Sequence, residues 1–162
     1  MEEKILRYDY DTVASDGSDN VTKTLLALLN SYPGMRDGIA NSMNIEFQLL
    51  DINKGIAMFP NPSVAILTEK EDITGHVAQT CAYAFTVVFR TRINASGKEV
   101  VKEWLDNLGR WLEKISYPEL SFGEFKKIKR TTQSYKYGES EDKAEDWAIS
   151  LQATYTNEFD KE

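Results

Sequence analysis

The sequence predicts an α+β domain, a mostly antiparallel sheet flanked by two main helices. Three observations predict it. Apolar residues recur at helical spacing over residues 21–32 and 100–115. They alternate at period two over residues 77–93 and 147–155. The elements are also grouped as helix, strands, helix, strands, which favours antiparallel or mixed pairing over a strictly alternating parallel sheet.

The first helix carries Val21, Leu25, Leu28, Leu29 and Tyr32 on one face. Ser18 or Asp19, just after the helix-breaking Gly17, supplies an N-cap that accepts bonds from the first free amides. Tyr32-Pro33-Gly34 stops the helix, because proline disfavours helical backbone at the residue before it. Residues 33–43 read as a loop. Ile45, Phe47 and Leu49 then alternate with Glu46 and Gln48, as in a half-buried strand. Residues 51–55 read as a turn, and 56–59 and 64–67 as short strands. Pro60-Asn61-Pro62 places this region at a sheet edge, since proline cannot donate to a ladder. The charged run Glu69-Lys70-Glu71-Asp72 makes residues 68–76 a projecting loop.

The strongest strand signal follows. Val77, Cys81, Tyr83, Phe85, Val87, Phe89 and Ile93 occupy one face of residues 77–93, and small or polar residues occupy most of the other. At about 3.3 Å per residue that run spans roughly 56 Å, against a usual strand of about 5–6 residues. It must bend or outrun a compact core, and an overhanging end wants a partner. The second helix opens with the capping box Ser96-Gly97-Lys98-Glu99. Its apolar face is Val100, Val101, Trp104, Leu105, Leu108, Trp111, Leu112 and Ile115, and Tyr117-Pro118-Glu119 ends it. Residues 122–125 read as irregular, 126–137 as weakly extended and 138–145 as an acidic loop. Trp147, Ile149, Leu151, Ala153 and Tyr155 form the inner face of the last strand. Residues 156–162, with Phe159, read as a short polar tail. Nothing in the sequence marks a linker, so residues 1–162 are expected to form one domain.

No catalytic centre is legible. The single histidine, His76, and the single cysteine, Cys81, are five apart, so a strand puts them on opposite faces and a Cys–His pair is disfavoured. Cys81 reads as a small buried hydrophobe. His76 has no second histidine with which to ligate a metal. The carboxylates come as runs without calcium-loop spacing, and Gly97-Lys98 lacks the rest of a phosphate loop. The expectation is therefore no enzyme activity, no cofactor and no metal. The net charge of −7 disfavours general nucleic-acid or anionic-membrane binding. The basic cluster Lys126-Lys127-Ile128-Lys129-Arg130 reads as a charged edge strand that blocks aggregation. Met-Glu-Glu-Lys-Ile-Leu-Arg lacks the apolar run of a secretory signal, so the protein is expected to be made and first used in the cytoplasm. Aromatic strands, a long strand and loops of both charges are interface materials.

Five segments carry a family resemblance: LLALLNSYPG (residues 25–34), GIAMFPN (55–61), EKEDITGHVAQTCAYAFTVVFR (69–90), VKEWLDNLGRWLEK (101–114) and EDWAISLQATYTNEFDK (145–161). Together the chain resembles the tail terminator, or minor capsid, proteins of tailed phages and prophages of Gram-positive bacteria. The resemblance implies a small α/β fold and a ring, six-membered in the family, that caps the tail tube and joins it to the head connector or stopper. The implied setting is the tail or neck of a virion assembled in the host cytoplasm. The implied partners are copies of itself, the tail tube protein and the connector, with DNA only as passing cargo and no membrane. Another head–tail joining or minor capsid role is the alternative, and a small-molecule-modifying enzyme the remote one. Ring closure requires a head-to-tail interface, for which Glu69, Lys70, Glu71, Asp72, His76, Phe59 and Phe159 are the candidates.

Overall fold

The computed structural model describes residues 17–36, 38–40, 43–50, 55–91, 98–139 and 144–161. Two helices, α1 (Gly17–Asn30) and α2 (Lys98–Lys114), accompany eight strands: β1 (Ile45–Phe47), β2 (Gly55–Asn61), β3 (Ile66–Glu71), β4 (His76–Thr91), β5 (Glu119–Leu120), β6 (Gly123–Arg130), β7 (Tyr135–Glu139) and β8 (Glu145–Asp160). The fold is α+β and the sheet dominates it. Every strand pair is antiparallel except β1 on β2.

The axis of the sheet is a ribbon of two 16-residue strands, β4 and β8, paired from His76↔Asp160 to Thr91↔Glu145. Each has two shorter strands on its outer side. β2 takes the far part of β4 and β3 its start. β7 takes the start of β8, and β6 its middle. The backbone of β4 is thus paired on both sides by this chain, which corrects the expectation that its overhang lacks a partner.

The register explains the core. Cross-strand partners share a face, so Ile45, Ile56, Phe89 and Trp147 line up across four strands, followed by Met58, Val87 and Ile149, then Phe85 and Leu151. Ile128 and Ala153, and Phe125 and Tyr155, continue the layer. Both helices lay their apolar residues on it: Val21, Leu25 and Leu29 from α1, Val101, Leu105, Leu108 and Leu112 from α2. The opposite face of the ribbon is built of small groups, Ala57 beside Val88 and Ala148, and Thr86, whose hydroxyl bonds Ser150 (2.9 Å) and accepts from Asn61 (2.7 Å).

Several expectations are corrected. Of the loop expected over 68–76, residues 68–71 are strand and His76 opens β4, because the β3–β4 hairpin supplies the pairing that their charges alone do not forecast. Residues 156–160 belong to β8 rather than to a tail, and 123–125 belong to β6. Gly17 lies within α1. Val100 is exposed. The half-buried strand over 45–49 stops at Phe47, which is 42% exposed, and Gln48 adopts φ 54° while donating to the Met58 carbonyl, so Leu49 leaves the sheet. The caps assigned to Ser18, Asp19 and Ser96 and the turn at 51–54 lie outside the described residues or side chains.

Candidate assembly interface

Beyond Cys81 and Tyr155 the ribbon leaves the helix-covered layer. Here β3, the start of β4 and the end of β8 form a three-stranded arm. It contains Glu69, Lys70, Glu71, Asp72, His76 and Phe159. Phe59, also singled out from the sequence, is not among them. It sits half-buried on β2, opposite Thr86.

The tip of the arm is tightly specified. Asp72 Oδ1 accepts from Thr74 N (2.9 Å), Thr74 Oγ1 (2.6 Å) and His76 N (3.0 Å). Asp72 N donates to the His76 carbonyl (3.0 Å) and Gly75 N to the Asp72 carbonyl (3.1 Å). Gly75 has φ +88°, which a side chain rarely tolerates. The bond from Thr74, followed by that from His76, holds the Asp72 carboxyl below its ordinary range. The end of β8 is fastened to this turn: Lys161 N donates to the Gly75 carbonyl (2.8 Å) and Lys161 Nζ to Glu71 (3.0 Å).

His76 clasps the end of β8 from the opposite face. Its Nδ1 lies 2.9 Å from Asp160 Oδ1 and its Nε2 2.9 Å from Glu158 Oε1. A neutral imidazole has one N–H, so both contacts are donated only by the imidazolium. Asp160 first, then Glu158, raises the histidine above its ordinary 6.5. A raised folded value means that the clasp contributes fully below the ordinary histidine value and is lost as pH rises through the raised one. We therefore expect amide exchange of Val77 and Phe159, which pair across β4 and β8 next to the clasp, measured by NMR, to accelerate as His76 titrates, and His76→Ala to remove that step. An exchange profile identical in both proteins would refute the clasp.

The arm carries five carboxylates (Glu69, Glu71, Asp72, Glu158, Asp160) against two lysines (Lys70, Lys161). It also exposes apolar side chains: Ile73 projects fully at the apex, Ile66 and Leu67 are about half exposed along β3, Val64 lies just before them, and Phe159 is 41% exposed. Apolar groups on an acidic projection suit a contact made in an assembly.

Cys81 and His76 do not come together as a nucleophile and base. Cys81 is buried, burial pushes its thiol up, and it faces away from His76. Both nitrogens of His76 are engaged by carboxylates, leaving no lone pair for a metal. Among the described residues no three His, Cys, Asp or Glu side chains are placed to hold one, and no helix is long and apolar enough to cross a membrane.

On the other side of the sheet, the basic cluster does lie on an edge strand, β6, past its short pairing with β5. Sequence reasoning missed how that edge is closed. Ile128 N donates to Tyr117 Oη (3.1 Å) and Arg130 N to Glu113 Oε2 (3.0 Å), while the Arg130 guanidinium forks onto both Glu113 oxygens (3.0 Å each). Glu113 of α2 and Tyr117, just beyond its end, thus occupy the amides of Ile128 and Arg130 on the outer side of β6.

No protein-family model matches the sequence, and no curated protein matches it. A chain from a solved structure described as "Virion of native gene transfer agent (GTA) particle" matches in fold, with a TM-score of 0.60 at 10% identity. The match covers 89% of this chain and 100% of that one. At that identity the likeness is one of fold.

Proposed function

We propose that this chain is a structural subunit of a phage-type particle, and within it a tail terminator: a ring-forming protein, six copies to the ring, that caps the tail tube and joins it to the head connector. The observation that carries the reading is the fold match to a chain of a gene transfer agent virion, spanning the whole of that chain. The sequence resemblance to tail terminators points the same way, and the acidic, partly apolar arm provides a surface through which a subunit meets its neighbours. The protein acts by assembly, not by turnover, and its place is the neck of the particle.

The test is to mix the purified protein with tail tubes and, separately, with head connectors. Electron microscopy and mass measurement of the complexes are expected to show a six-membered ring at tube ends and an end to tube growth. Binding to connectors with no effect on tubes would replace this reading with another head–tail joining role. Binding to neither would overturn it.

A further inference from the structure

We infer that the outer edge of β3 is a docking site for an extended segment of a different protein, one carrying basic residues at alternate positions. The inference rests on reading the chain as part of an assembly.

The backbone geometry is the first argument. Asp72 N bonds the His76 carbonyl, and β3 pairs with β4 as Lys70↔Ala78 and Thr68↔Thr80. Antiparallel pairs alternate between bonded and unbonded. Since 72:76 is bonded, 70:78 and 68:80 are bonded as well, and 69:79 and 71:77 are not. The amides and carbonyls of Glu69 and Glu71 therefore point away from β4. Every residue of β3 is exposed, so the row is open. The short contact from Gln79 Nε2 to Glu69 Oε1 (2.6 Å) fits the closer side chains of an unbonded pair.

The second argument is charge. An added strand would set its residues opposite Glu69 and Glu71, which lie on one face of β3. Two β3 edges related by a two-fold axis would meet antiparallel, and residues with outward amides would then oppose one another. Glutamate would face glutamate, so β3 rejects a second β3. The basic strand of this chain, β6, is no substitute, because Tyr117 and Glu113 already hold its outward amides at Ile128 and Arg130. The charge pattern calls for a strand with lysine or arginine at two alternate positions and apolar residues beyond them, toward Ile66 and Leu67, and the proposal assigns it to a different protein. The exposed Lys161 that now pairs with Glu71 is displaced at little cost, as such surface pairs are weak. This is strand addition to a sheet edge: the backbone gives affinity and alternate side chains give selectivity.

The probe is a pair of short synthetic peptides of equal length and β propensity, one with lysine and one with glutamate at alternate positions. Fluorescence anisotropy should show the lysine peptide binding about tenfold tighter, within the range of two cross-strand charge pairs. Amide exchange at Glu69 and Glu71 should slow when it binds. The double variant E69K/E71K should reverse the preference, and Glu69→Pro, which removes an outward amide while sparing the β4 ladder, should abolish binding. Equal affinity for the two peptides, or no protection at Glu69 and Glu71, would overturn the inference. So would protection that appears without peptide and grows with protein concentration, since a second copy would then be the occupant. If these results fail while rings still form on tail tubes, only the docking site is lost. If the rings fail, the parent reading falls separately.

Discussion

Phe89→Ala is expected to destabilise the protein by about 3–5 kcal/mol. Phe89 is 1% exposed and sits in the register row that joins Ile56, on β2, to Trp147, on β8. Its ring meets the edge of Trp104 at 5.1 Å and 84°, so it ties the sheet to α2. Truncation removes the transfer energy of the ring, leaves a cavity between layers that are themselves well packed, and forfeits the aromatic pair. Against a usual total of about 5–15 kcal/mol, that is a large fraction. The melting temperature should fall by roughly 6–20 °C, followed by circular dichroism. Phe89→Leu, which refills most of the volume, should cost less than about 1.5 kcal/mol. Equal losses for the two variants would mean that the volume Leu refills contributes little and that the ring contact with Trp104 carries the effect.

Gly123→Ala is the second large effect, and its cause is contact rather than cavity. A β-carbon at Gly123 would lie 2.0 Å from the Thr156 carbonyl oxygen and 2.6 Å from its carbon, both backbone atoms that cannot rotate away. Either β6 or β8 must move. The bonds from Glu158 N to the Phe122 carbonyl (3.0 Å) and from Glu124 N to Thr156 Oγ1 (2.9 Å) would be lost or stretched. The expected cost is about 3 kcal/mol, the upper part of the range for overpacking. Gly138 is the internal control: nothing lies within 4 Å of its hypothetical β-carbon, so Gly138→Ala should stay within about 0.5 kcal/mol. Urea unfolding of the three proteins separates the cases. Two alanine variants that melt alike would show that the close approach at Gly123 is not rigid.

The parts of the fold that were legible in the sequence are those whose burial is one-sided. α2 announces itself because Val101, Trp104, Leu105, Leu108 and Leu112 meet the core at helical spacing. The ribbon does so because Phe85, Val87 and Phe89 face Leu151, Ile149 and Trp147. What escaped is what pairing decides. β3 is exposed along its whole length, so it has no apolar alternation to read, and only the hairpin closed by Asp72 and Gly75 makes it a strand. The end of β8 escaped for the same reason. Asn30 escaped because nothing local marks it: buried, it donates to the Leu26 and Ile45 carbonyls and accepts from Ile45 N, pinning β1 to α1 through partners 15 residues away. The interface candidates Glu69, Lys70, Glu71, Asp72 and His76 were found as a charged run. That they share an arm with Phe159, and that Phe59 does not, is a matter of register.

The pairing of His76 with Asp160 spans 84 positions of sequence. Contacts so distant are slow to form, since a long loop must close before they reward the chain. On a ribosome, the first half of the long ribbon is finished while its complement is still unmade. β4 must wait with one side bare until residues 145–160 emerge, and the clasp at its start is the last rung to close. A chain interrupted before those residues are made therefore leaves one edge of β4 unpaired and open to pairing with other strands.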